Sequence, residues 1–119
     1  MIQYQQLSGG IWLGSKYLGA GYSGHGEGWN NPLMEAVANV GPIPAGFWKI
    51  ERWDDHHGDK GPIVAVLSPV GHNAHGRSAF LIHGDNSLGD HSASHGCIIA
   101  NRDIRQRLRD SGDTELEVI

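Results

Sequence analysis

Glycine punctuates this chain so closely that a helical bundle is ruled out before any other feature is weighed. There are 18 glycines in 119 residues, about twice the usual share, and each weakens a helix interior while easing a tight turn. In "SGGIWLGSKYLGAGYS", residues 8–23, they separate Ile11, Leu13, Tyr17, Leu18 and Tyr22 into two or three short strands. Residues 24–46 are the least regular. There "GHGEGWNNP" has loop chemistry, "LMEAVANV" can make one or two helical turns, and "GPIPAG" is a rigid turn.

Strand patterns dominate residues 47–84. "FWKIERW" (47–53) places Trp48 and Ile50 on one face or Phe47 and Trp53 on the other, and "DDHHGDKG" reads as a polar hairpin tip. "PIVAVLSP" (62–69) and "SAFLIHG" (78–84) are apolar at consecutive positions, as strands covered on both faces are. One helix is expected, over "NRDIRQRLRD": Ile104 and Leu108 lie four apart, Asn101 can cap the first turn, and Ser111-Gly112 ends it. "DTELEVI" then alternates as a terminal strand. The expected fold is mainly β, a small sandwich or barrel with one helix and a final strand, in a single domain over residues 1–119.

Composition narrows the partners. Nine Lys and Arg against 13 Asp and Glu give a net charge of −4, which offers no cationic footprint for nucleic acid or an anionic membrane. "MIQYQQLSGG" has neither a basic start nor an apolar run, so no secretory signal is expected, nor any membrane insertion. Synthesis in the cytoplasm is the resulting expectation.

The chemistry centres on "SASHGCIIAN", residues 92–101, which holds the single cysteine. A lone thiol is a packed core side chain, a metal ligand or a nucleophile. As a core residue, Cys97 would pack beside Ile98 and Ile99. As a nucleophile it needs a base to become thiolate at neutral pH. His83, closing a strand just before Gly84, is the best placed; His91 lies in a polar loop and reads as solvated, and His95 is adjacent. Gly96 would let a substrate approach the backbone, with the amides at 95, 96 and 97 as oxyanion donors. As a metal centre, His72, His75, His83, His91, His95 and Cys97 could contribute ligands, though no second cysteine and no HExxH are present.

A histidine closing a strand, followed by Ser94-His95-Gly96-Cys97 and a hydrophobic residue, resembles the active-site motif of the L,D-transpeptidases, bacterial cell-wall enzymes. "GYSGHGEGWNNP" (21–32) and "GPIPAGFWKI" (41–50) further resemble the L,D-transpeptidase-like effectors that type VI secretion systems inject into rival bacteria. The likeness covers about residues 10–119. It implies that Cys97 attacks the diaminopimelate carbonyl of a peptidoglycan tetrapeptide stem and that His83 is the base, with no cofactor and no metal. The Gly84 carbonyl would orient His83, while Ser94, His95 and Gly96 complete the motif. Tyr22, Ser23, Asn30 and Trp29 would line the cleft, Trp29 having core packing as its alternative. The spacer between His83 and Ser94 is ten residues, shorter than the general motif. The arginine common two places after the cysteine is Ile99 here, so either Arg102 or Arg105 would hold a substrate carboxylate or that contact is absent. Stem peptides, an immunity protein and secretion components are the implied partners, and the periplasm of a target bacterium the place of action. A zinc-dependent cell-wall peptidase and a non-enzymatic wall-binding module are the alternatives.

Overall fold

The two continuous apolar runs become neighbouring strands near the middle of one highly curved sheet. A computed structural model describes residues 1–119. The strands are β1 (Ile2–Tyr4), β2 (Gly10–Leu13), β3 (Lys16–Ala20), β4 (Tyr22–Ser23), β5 (Gly46–His56), β6 (Pro62–Val70), β7 (Leu81–His83), β8 (Ile98–Ile99) and β9 (Glu115–Val118), with helix α1 (Arg102–Ser111) before the last. Their order is β3-β2-β1-β9-β5-β6-β7-β8-β4. Two pairings are parallel, β1 with β9 and β7 with β8. The result is a nearly closed β-barrel or sandwich with one helix and a C-terminal strand, mainly β as the glycine pattern and apolar runs imply.

A cluster of 17 buried apolar residues fills it. Trp48 and Ile50 face inward, each 2 % exposed, while Phe47 is 49 % exposed. A register shift between Ile50 and Arg52 then turns Trp53 back toward the core, so both faces of the sequence pattern contribute in turn. Ile104 and Leu108 bury α1 against the same core. Its first turn is capped by Asn101 Oδ1, which accepts the Ile104 N–H at 2.8 Å, and left-handed Gly112 ends it.

Two local expectations need correction, and two segments are added or refined. β1 is a strand that the sequence pattern did not reveal; Ile2 and Tyr4 alternate with Gln3 and are fully buried. The polar tip begins at His57, because Asp54, Asp55 and His56 continue β5 opposite β6. β7 is only three residues long, since Ala79 adopts φ +64 and breaks the extended run before it. "LMEAVANV" yields a 3₁₀ turn at Pro32–Met34, capped by Asn31, followed by turns. No helix is long and apolar enough to cross a membrane.

Candidate active site

Parallel pairing of β7 with β8 brings the two halves of the sequence motif together. Ile82 pairs with Ile98 and His83 with Ile99. Ile82 and Ile98 both belong to the core, so alternation sends His83 to the other face, and the Cys97 thiol, one residue before β8, comes out on that side too. Cys97 and His83 line one cleft of about 300 Å³. A more polar lobe of about 310 Å³, walled by Asp59, Asp85, Asn86 and Ser92, shares His83, Lys60, Ala93 and His95 with it.

His83 is 3 % exposed, and its Nδ1 lies 2.8 Å from the Gly84 carbonyl. A carbonyl only accepts, so Nδ1 carries the proton and Nε2 the lone pair. That Nε2 is buried and has no hydrogen-bond partner. Burial pushes the imidazole below its ordinary pKa, and the charges of Lys60 and Arg105 push the same way against the Gly84 hydrogen bond. At Cys97 burial raises the thiol, while a Leu81 N–H and the charges of Lys60 and Arg77 pull it down less strongly. Both groups therefore rest neutral at pH 7: the thiol donates to the Ala79 carbonyl at 3.8 Å, and the imidazole, with a free acceptor atom, lines the same cleft.

Ser94 holds the cysteine turn. Its hydroxyl donates to the Cys97 carbonyl at 2.6 Å and accepts the N–H groups of Gly24 (2.9 Å) and Gly96 (3.1 Å). The Gly96 amide is thus spent internally, which corrects its expected place among the oxyanion donors; the His95 and Cys97 amides make no such bond. Gly96 also has a different reason to be glycine. At φ +135 a Cβ would lie 2.5 Å from Arg77 Nη2 and 3.0 Å from Phe80, so the space that a side chain would need is filled by the protein. His95 is exposed beside the cleft, its ring 4.8 Å from that of His25.

Most of the residues expected to line the cleft support it from behind. Ser23 is fully buried, donating to the Gly96 carbonyl and accepting the Ile43 N–H. Asn30, also buried, accepts the Ser23 N–H. Tyr22 donates to Asp85 at 2.7 Å and accepts the Ala93 N–H, fastening the 84–96 loop from outside the cleft. Trp29 is 41 % exposed and stacks on His91, which Tyr22 meets edge-on; Trp29 is therefore not a core residue, and His91 is exposed as its polar loop implies. Arg105 is 6 % exposed and donates to the carbonyls of Ala100, Pro62 and Ile63. It is a buried brace whose Nε and Nη1 are committed to the backbone, and neither it nor Arg102, exposed at the start of α1, lines either lobe.

Two cations stand outside every pattern legible in the sequence. Arg77 donates to the carbonyls of Glu35, Gly41, Pro42 and His95 and lies over the Phe80 ring, tying the 35–42 loop to the cysteine turn. Lys60 reaches the cleft from the polar tip. Neither belongs to a motif; only the fold brings them to the thiol. The potential metal ligands are dispersed: His72 bonds the Phe47 carbonyl and His75 pairs with Glu35, and no three His, Cys, Asp or Glu side chains converge.

A family model described as the Tlde1 domain matches residues 18–118. Among solved structures, the NMR structure of the catalytic domain from E. faecium L,D-transpeptidase superposes with a TM-score of 0.58 at 14 % identity, covering 99 % of this chain and 95 % of that one. At that identity the likeness speaks to the fold. No curated protein matches the sequence.

Proposed function

Since the chain belongs to the Tlde1 domain family, the type VI L,D-transpeptidase effectors that modify peptidoglycan, we propose that residues 1–119 act as one cysteine-dependent catalytic domain on tetrapeptide stems. The observation that carries the reading is the neutral His83 with its buried, unpartnered Nε2 in the same cleft as the Cys97 thiol.

The thiol attacks the carbonyl of the diaminopimelate residue as its proton passes to His83 Nε2. The oxygen becomes an oxyanion, for which the His95 and Cys97 amides are the available donors. Collapse breaks the C–N bond, His83 returns the proton to the leaving nitrogen, and D-alanine departs from a thioester on Cys97. Water then attacks with His83 as base, leaving a tripeptide and a free thiol; the amine of another D-amino acid in its place gives the exchanged tetrapeptide. Gly84 positions His83, and Ser94 positions Cys97 through its carbonyl.

The site of action is the wall of a target bacterium, reached through a secretion system, with an immunity protein guarding the producer. Purified muropeptides incubated with the protein and read by mass spectrometry should show tetrapeptides falling while tripeptides or exchanged tetrapeptides rise. Cys97→Ala should abolish this and His83→Ala lower it by orders of magnitude, both proteins remaining folded by circular dichroism. The same two products should accumulate when the protein is exported to the periplasm of a Gram-negative host. Wild-type rates in the Cys97→Ala protein would sink the mechanism.

A further inference from the structure

We propose that Lys60 recognises the free carboxylate of the stem's C-terminal D-alanine, the group that leaves, and so selects stems that end at that residue. This rests on the reaction proposed above.

The cleft has three cations near its chemistry, and two are tied to backbone carbonyls. Arg77 gives its guanidinium to four backbone carbonyls and Arg105 gives its own to three. Lys60 is half-buried, lines both lobes, and has no side-chain hydrogen bond or ion pair. The nearest carboxylates do not neutralise it. Asp59 and Asp85 share the polar lobe, Asp85 is taken up by the Tyr22 hydroxyl, and neither lies within ion-pair distance of the ammonium.

Position agrees with the chemistry of the leaving group. His83 must protonate the departing nitrogen, and the carboxyl carbon of the same D-alanine is only about 2.5 Å from that nitrogen through Cα. The carboxylate therefore stays close to His83, in the part of the cleft that Lys60 also lines. Its positive charge is felt at both His83 and Cys97. The backbone beneath it is held fast: the 3₁₀ turn Gly58–Lys60 closes with Lys60 N–H to the His57 carbonyl at 2.9 Å, and His57 is anchored to Asp54 at 2.7 Å. A held backbone carrying an unpaired ammonium suits a carboxylate reader, the reach of the side chain bringing the charge into the cleft.

The test compares a tetrapeptide stem ending in free D-alanine with the same stem as its C-terminal amide. Binding is measured calorimetrically in the Cys97→Ala background and turnover in the active protein. With Lys60 present the acid should bind at least about tenfold tighter than the amide, as a charge-assisted contact provides. In Lys60→Met and Lys60→Gln that ratio should fall to within about twofold, and Lys60→Arg should keep most of it. In turnover the loss should enter mainly through KM. Equal binding of acid and amide by the Lys60 protein, or a preference that survives in both neutral variants, overturns the proposal. A preference found without turnover of either stem keeps Lys60 as the reader and removes the proposed reaction; turnover without a preference does the reverse.

Discussion

The β5–β6 hairpin and the β7-β8-β4 end of the same sheet are built by different means. β5 and β6 run for 11 and nine residues and hold each other through a long antiparallel ladder. β7, β8 and β4 have three, two and two residues, joined by two register pairs at each contact. With so little ladder, the backbone polar groups at that end are satisfied by buried side chains: Ser23, Ser94 and Arg105, with half-buried Arg77 beside them. The difference shows how a site can be both rigid and open. Short strands free loop backbone for chemistry, and side-chain braces supply the order that a ladder gives elsewhere.

Removing a brace should break this contrast most severely. Arg105→Met leaves the Ala100 and Ile63 carbonyls without their buried donor and should lower stability by about 2–4 kcal/mol, and Ser94→Ala, which orphans two amides, by about 1–3 kcal/mol, both read by urea denaturation. A loss below about 1 kcal/mol for Arg105→Met would mean that the ladder, not the brace, carries this end. The next effect sharpens the contrast through pH. His83 must be unprotonated to act, and burial lowers its pKa, so the acid limb of kcat/KM should have its midpoint below 6.5. Because burial raises the Cys97 thiol, no fall should appear toward about pH 8. A bell that already declines at neutral pH would instead indicate a preformed thiolate–imidazolium pair. Smallest of all, His56→Ala and Arg52→Ala on the exposed part of β5 should shift stability by no more than about 0.5 kcal/mol.

The same contrast explains what could be read from the chain. Alternation at Trp48 and Ile50, the apolar run 62–69 and the capped helix were legible because each is a local pattern tied to one element. Cys97 and His83 were legible as a motif, and β7–β8 pairing places both on one cleft. Ser23, Asn30 and Tyr22 stand behind the wall rather than in the cleft, and nothing in "GYSGHGEGWNN" distinguishes a side chain that touches substrate from one that holds up the backbone behind it. Arg77 and Lys60 were missed because their relevance arises from contacts across the fold, Arg77 with residues 35–42 and 95, Lys60 with both lobes of a cleft formed from distant segments. β1 was missed because three residues give too short a pattern until its partner β9 is known.

That partner also governs when the molecule comes into being. β9 lies between β1 and β5, so residues 115–118 bridge the first strand of the chain and its longest one. Until they arrive, the β1-β2-β3 meander has no strand pairing to the rest of the sheet, and Ile2, Tyr4 and Trp48 lack the cover of Leu116 and Val118. Folding must therefore close a loop of nearly the whole chain, a topology associated with slow, all-or-none kinetics. The amides of β9 should exchange with solvent only through global unfolding, and the sheet, with its cysteine-bearing edge, is complete only once β9 has joined.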